Sequence, residues 1–354
     1  MIPVVDLSRR LGRLEEAYVE SVRRVMRSGS LLLGPELDAF EHEAREFFGG
    51  MDVVGVSSGA GAIELALAAL GVGPGDEVIV PAFTAVPTVS AVCAVGATPF
   101  PVDVDVDTAL IDVDRALDAV TVRTRAFVPV HLYGRPADLS PLSEAGLPIV
   151  EDAAQAHGAL TRPVGRAVTY SFYPTKNIGG IGDGGAVATA DPELAAALRR
   201  RRAHGMTEQY VHVDVSQNFR LSELEAAWLR LQLPGFAADN ARRATIARHY
   251  RSAAPHLAWQ ADHPDHVFHL CVARFTDRDA ARAQLASAGI ATAVHYPLAI
   301  TQQPAYRDLA GPPCPLAESW AAGCVSVPCF PELTDAEVDH VCDALAAVVP
   351  AVRG

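Results

Sequence analysis

The sequence predicts an α/β protein with a mostly parallel sheet, followed by a smaller α+β domain. Three observations carry this. From about residue 36 to 300, helical patterns alternate with short β-rich runs. The β runs are apolar along their whole length and bounded by turn residues, as strands buried on both faces are. After about residue 233 the texture changes to a long polar-faced helix and a mixed remainder. Alternation of this kind places a parallel sheet between helices.

The elements follow in order. ELDAFEHEAREFFG (36–49) reads as an amphipathic helix ending at Gly49. VVGVSS (53–58) reads as a strand and AIELALAALGV (62–72) as a helix. EVIVPAF (77–83) is strand-like and precedes a helical TVSAVCAVGA. TPFPVDVD (98–105), AFVPVHLYG (126–134), PIVEDAA (148–154), TYSFYP (169–174) and AVATA (186–190) complete seven strands. ADNARRATIARHYRSAA reads as a linker helix. HVFHLCVARF (266–275), a helix over 278–288, ATAVHYP (291–297) and a closing helix, TDAEVDHVCDALAAVV, make the second domain. The division predicted is 1–238 and 239–354.

Composition removes several functions. Half of the 354 residues are hydrophobic, enough for a sizeable core, and the net charge is −13. That charge argues against nucleic acid or an anionic membrane as the main partner. No apolar run is long enough for a membrane span. The six cysteines form no C-x-x-C pair or zinc spacing, which fits free thiols of a cytoplasmic protein. Twelve histidines include no H-E-x-x-H, against a metal hydrolase.

Lys176 is the only lysine among 29 Lys+Arg. Arginine stays protonated in proteins, whereas a neutral lysine amine is a nucleophile. An arginine-rich composition would also leave a lone lysine by chance, so its surroundings decide. It lies in SFYPTKNIGGIGDGGAV (171–187), where a strand bearing Ser171 and Tyr173 runs into a glycine-rich loop. In IVEDAAQAHGA (149–159) a strand ends at Asp152, on the sheet edge where ligands of parallel α/β folds bind. An N-cap aspartate is the plainer reading of that residue. In VSSGAGAIELAL (56–67) a strand passes through Ser58, Gly59 and Ala60 into a helix, whose first amides suit a phosphate. Each feature alone is common. Together they fit one ligand with a phosphate, a carbonyl and a ring nitrogen, and pyridoxal 5′-phosphate has all three.

At this point the chain resembles the DegT/DnrJ/EryC1/StrS family of sugar aminotransferases, of fold type I. The resemblance covers nearly the whole chain. Besides the three segments above it is carried by SGSLLLGPELDAFE (28–41), GDEVIVPAFTAVPTVSAV (75–92), VPVHLYGRPAD (128–138), NFRLSELEAAWLRLQL (218–233), HYPLAITQQPAY (295–306) and SVPCFPELTDAEV (326–338). It implies a seven-stranded sheet in the large domain and a homodimer with shared active sites. Lys176 matches the lysine that forms the Schiff base, Asp152 the partner of the ring nitrogen, and Gln155 a residue near the phenolic oxygen. Ser171, Gly59 and Ala60 match phosphate contacts. Asn218 matches an asparagine that reaches the phosphate from the neighbouring subunit, and Arg220 a substrate-side arginine; His295 and Tyr296 belong to the substrate loop.

Three departures stand out. Ala60 replaces the usual threonine, with Ser58 as a compensating hydroxyl. Ala85 replaces the usual ring-stacking aromatic, leaving Phe83 or Val86 to cover the cofactor. The second histidine of H-Y-P-x-P-x-H is Thr301. The resemblance implies transfer of an amino group from L-glutamate to a dTDP-linked keto-deoxysugar, with carbon 3 favoured over carbon 4. A cyclitol ketone as substrate, or a non-catalytic PLP-binding regulatory protein, are the alternatives. A dehydratase is disfavoured because Lys176 is kept where dehydrating relatives have histidine.

Overall fold

A computed structural model describes residues 1–160 and 162–348. The last position of the expected closing helix, residue 349, lies outside the described residues. Seven strands form the large sheet: β1 (Asp52–Val56), β2 (Glu77–Pro81), β3 (Thr98–Val102), β4 (Thr124–Phe127), β5 (Val150–Asp152), β6 (Ala167–Ser171) and β7 (Gly185–Thr189). β1-β7-β6-β5 are hydrogen-bonded neighbours, as are β3-β2-β4. Parallel bridges Phe127–Ile149 and Val130–Asp152 join the two groups. Only β7 runs antiparallel to its neighbours, so the sheet is mostly parallel, as expected.

Among the described residues nine α-helices are met in chain order over the first part of the chain: α1 (Leu7–Ser28), α2 (Pro35–Ala44), α3 (Gly59–Ala69), α4 (Val86–Ala94), α5 (Val113–Asp118), α6 (Ser140–Ser143), α7 (Pro192–Arg201), α8 (Glu223–Gln232) and α9 (Phe236–Ala253). The strand period of two divides the core between the two faces of the sheet. Val54 and Val56 of β1 pack with Leu65 of α3 and Leu198 of α7. Val53, one residue away, packs on the other side with Phe40 of α2 and Trp228 and Leu229 of α8. Both faces are therefore covered, which is why the strands read as continuous apolar runs.

Beyond a small exposed hairpin, β8 (Met206–Glu208) and β9 (Val211–His212), the chain crosses α9 into a second sheet. Its strands β10 (Ala258–Trp259), β11 (Cys271–Arg274) and β12 (Cys324–Val327) are antiparallel, with α10 (Arg278–Ser287), α11 (Pro315–Gly323) and α12 (Asp335–Ala347) beside them. Thr334 and Glu337 form a capping box that starts α12. The N-terminal residues join this second body: Ile2 pairs with Ile290, and Ile2 and Val5 pack on its core. Among the described residues no helix is long and apolar enough to cross a membrane. Nor does any cluster of three His, Cys, Asp or Glu among them suit a metal ion.

Candidate active site

The site forms where several parallel strands end. β1 ends at Val56 and leads through Ser58 into α3. β5 ends on Asp152, β6 on Ser171, and the loop after β6 carries Lys176. The turn after β2 supplies Thr84, Ala85 and, one turn into α4, Thr88. These residues line a cavity of about 560 Å³ with Gly59, Ala60, Val86, Gln155, Tyr173, Asp183 and Tyr296.

Lys176 is half-buried in this cavity. Burial pulls its amine down to about 8, and the nearby Asp152 carboxylate partly opposes this. At pH 8 roughly half of such amines are neutral, against under about 1% for an ordinary lysine. The neutral form is the nucleophile the chemistry needs.

Asp152 is buried, which raises its carboxyl. Two hydrogen bonds favour the ionised form: Thr88 Oγ1 donates to Oδ2 at 2.8 Å, and the Ala154 amide donates to Oδ1 at 3.0 Å. A cation facing Asp152 would add to these. Asp152 is not the cap of a helix; the residues after it are turns.

The start of α3 is shaped by close approach. A Cβ on Gly59 would sit 2.6 Å from Ser171 Cβ, and one on Gly185 would sit 2.5 Å from the Ser58 carbonyl. Only glycine lets the helix terminus come this near β6 and β7. Ser58 is the N-cap, its Oγ accepting from the Gly61 amide at 3.0 Å. Among the described residues no protein acceptor takes the Gly59 or Ala60 amide, so both remain available to a ligand. The Ser58 hydroxyl is an acceptor in the cap but keeps its own proton for donation. Ser171 Oγ likewise accepts from the Tyr173 amide at 3.3 Å and keeps its proton.

Gln155 is held at both ends of its amide. Oε1 accepts from the Tyr133 amide at 2.6 Å, and Nε2 donates to the Tyr296 hydroxyl at 3.0 Å. Tyr133 in turn donates its hydroxyl to the His295 carbonyl, and it sits at a φ of 64°. These four residues form a closed ring that ties the large sheet to the second body.

The structure does not gather every expected residue. His295 stands behind Tyr296, bonded through Nδ1 to Ser326 Oγ at 2.9 Å, and lines a separate chamber. Burial, helped by the Lys176 charge, lowers its imidazole to about 4, which keeps it neutral. Asn218 and Arg220 pair with each other, Arg220 Nε to Asn218 Oδ1 at 2.8 Å. They lie along the end of β1, where Arg220 bridges to Val56, outside the cavity of their own chain. Phe83 corrects an expectation: it is fully buried against Tyr133, Tyr296 and Trp320 and does not line the cavity. Val86 does line it, beside Ala85.

Thr84, Thr88 and Asp183 also line the cavity and have no part in the sequence reading. Thr88 stands one helical turn beyond Thr84, and the two hydroxyls lie 3.1 Å apart. That i, i+4 spacing was the available signal; the link from Thr88 to Asp152, 64 residues away, had none.

A depressed lysine amine, a buried carboxylate bound by Thr88, and a cradle of free amides at a glycine-bound helix start fit pyridoxal 5′-phosphate. Fold and site together define a fold type I PLP-dependent aminotransferase. The DegT/DnrJ/EryC1/StrS aminotransferase family model matches residues 13–346, and the chain belongs to that family. It is 44% identical to the erythromycin biosynthesis sensory transduction protein EryC1 of Saccharopolyspora erythraea, over 98% of this chain and 99% of that one. It is 43% identical to a dTDP-3-amino-3,4,6-trideoxy-alpha-D-glucose transaminase of Streptomyces venezuelae, over 97% and 95%. The crystal structure of S. venezuelae DesV in complex with a ketimine intermediate superimposes with a TM-score of 0.93 at 42% identity, covering 98% of this chain and 97% of that one.

Proposed function

We propose that the protein aminates a nucleotide-linked keto-deoxysugar, dTDP-activated and at carbon 3, with L-glutamate as donor. The observation that carries this reading is Lys176, the sole lysine, facing Asp152 in one cavity beside the free Gly59 and Ala60 amides. The sugar and position rest on similarity: relatives at 43% and 37% identity are named as transaminases of dTDP-3-amino sugars.

Bound pyridoxal phosphate supplies a carbonyl and an electron sink that stabilises negative charge on a neighbouring carbon. The chain's residues do the rest. Gly59 and Ala60 amides, with the Ser171 hydroxyl, hold the phosphate at the start of α3. Asp152, fixed by Thr88, would hold the ring nitrogen, and its charge would favour the protonated form. Val86 and Ala85 offer the ring an apolar wall in place of an aromatic one. Lys176 Nζ removes the proton from the donor's nitrogen-bearing carbon, and with the sugar in place returns a proton to the carbon that becomes aminated. Tyr296, accepting from Gln155, is left with a free hydroxyl proton for a ligand oxygen.

A panel of nucleotide keto-sugars, incubated with holoenzyme and L-glutamate, tests the reading. Product mass spectrometry and NMR should show a new amine at carbon 3 of a dTDP-sugar. Turnover of a free cyclitol ketone but of no nucleotide sugar would replace the substrate class. Absence of any glutamate-dependent turnover would favour the regulatory alternative, whose support is that the EryC1 relative is named a sensory transduction protein.

In this reading the protein is a homodimer, with Asn218 and Arg220 reaching the partner's cavity. Arginine's planar fork suits a diphosphate in a chain of net charge −13. Mixing a Lys176→Ala chain with an Arg220→Ala chain, each inactive alone, should restore activity, because one site of each mixed dimer escapes both defects. Proven subunit exchange with no recovered activity would refute the shared site.

A further inference from the structure

Behind the Lys176 loop lies a second chamber of about 200 Å³, roughly six times the volume share of one water. Its walls include Val4 and Val5 of the N-terminal segment, Thr175, Arg243, His269 and His295. Thr175 and His295 line this chamber, while their neighbours Lys176 and Tyr296 line the main cavity. The two spaces therefore share a wall.

Arg243, on α9, is only 2% exposed. Among the described residues its guanidinium makes one hydrogen bond, from Nη1 to the Cys329 carbonyl at 2.5 Å, and no carboxylate lies within ion-pair distance of it. The acids that act on it, Glu332 and Asp239, do so only through space and stand within ion-pair distance of other guanidiniums. Asp239 binds Arg13 at 2.7 Å, and Glu332 stands 3.8 Å from Arg10 and 3.9 Å from Arg13. Three guanidiniums thus share two carboxylates. The repulsion is felt: burial and then the Arg243 charge bring the Arg10 guanidinium down to about 10. A buried cation without a counter-ion is costly, and the protein as a whole is strongly acidic, so this positive excess is local.

Burial keeps the chamber's two histidines, His269 and His295, uncharged, so Arg243 is the charged group that lines it. Asn177 gives its Nδ2 protons to Asn240 and to the Val267 carbonyl, so its Oδ1 accepts from His269 Nδ1 at 3.2 Å. His269 is held neutral by burial, with the Lys176 charge adding to the effect. No acid side chain lines the chamber.

We propose that this chamber is a binding site for a small carboxylate, paired with Arg243. The carboxylate has two possible sources, the amino donor or a free carboxylic acid, and the experiment separates them. The inference does not depend on the sugar reading, because its test requires no sugar turnover.

The probe is glutarate, a dicarboxylate with no amine, titrated calorimetrically into the holoenzyme. Wild type should bind it saturably. Arg243→Gln should weaken binding at least about tenfold, the usual scale for removing one partner of a buried charge pair. Because Arg243→Gln could fail to fold, Val5→Phe supplies a second variant that fills the chamber and keeps the charge. It should weaken binding by a similar factor while cofactor absorbance and near-UV dichroism stay unchanged. If glutarate raises the apparent KM for L-glutamate in the donor half-reaction, the donor's carboxylate occupies the chamber. If it binds and leaves that KM unmoved, the chamber takes a free carboxylate; both results keep the site. No saturable binding by wild type, or unchanged affinity in either variant when folded and loaded, would overturn the proposal.

Discussion

Lys176→Arg will lower turnover by more than about a thousandfold and leave the fold intact. The nucleophile and the proton carrier are the same amine, and arginine keeps the positive charge but cannot lose a proton. Circular dichroism should be unchanged, because Lys176 Nζ makes no protein hydrogen bond or ion pair among the described residues; what is held is its backbone, the amide by the Tyr173 carbonyl and the carbonyl by Arg10 Nη1, each at 2.8 Å. Two further measurements bear on the same group. Borohydride treatment of holoenzyme should fix the cofactor on the peptide containing Lys176. Capture of added pyridoxal phosphate by apoprotein should quicken as pH rises through about 8, since burial has moved the amine's proton loss there and the deprotonated form attacks. A Lys176→Arg enzyme with near-normal turnover would sink the whole reading.

Asp152→Asn will cost about a hundredfold or more in turnover, with little loss of stability. The asparagine Oδ1 can still accept from the Ala154 amide, and its Nδ2 can donate to the Thr88 hydroxyl, which turns its own proton to Thr84, so the contacts at 3.0 Å and 2.8 Å need not break. What it loses is the charge that holds a proton on the ring nitrogen, and charge-assisted bonds are about twice as strong as neutral ones. The melting temperature of the apoprotein should hardly move. It could even rise, since burial already works against the ionised carboxylate. Wild-type turnover in this variant would leave Asp152 a structural role and give the nitrogen another partner.

Much of the large sheet was legible because each strand is buried on both faces and bounded by turns. The seven strands lie where apolar runs predict them, although shorter. Of AFVPVHLYG only Ala126 and Phe127 are strand, in an element that begins two residues earlier at Thr124, because Pro129 lacks an amide and Tyr133 turns at a positive φ. α1 was not legible. Yet a narrow apolar stripe marks it, with Leu14, Tyr18 and Val25 at helical spacing and Leu14 and Tyr18 packed on the core of the large sheet; the many charged residues between them mask it. β12 is fully buried, but CVSV has no polar alternation and follows a helix with little punctuation. Within the site, the chemistry-bearing residues of the Lys176, Asp152 and Gly59 segments could be read because their types are unusual where they stand. Thr88 could not, because its partner is distant in sequence. Phe83 was misplaced for a related reason: whether a side chain before a turn points to a cavity or into a core depends on Tyr133 and Trp320, contacts made by remote segments.

The ring of Gln155, Tyr133, His295 and Tyr296 has a consequence for how the molecule melts. It stitches the edge of one sheet to a loop beside the other, and two of its members, Gln155 and Tyr296, also border the cofactor cavity. A ligand that favours this arrangement is therefore linked to the docking of both bodies, and stabilises them together by mass action. Loading with cofactor should merge apoprotein transitions into one cooperative unfolding event at higher temperature. Tyr296→Phe, which deletes one link and little volume, should let the second body loosen before the first.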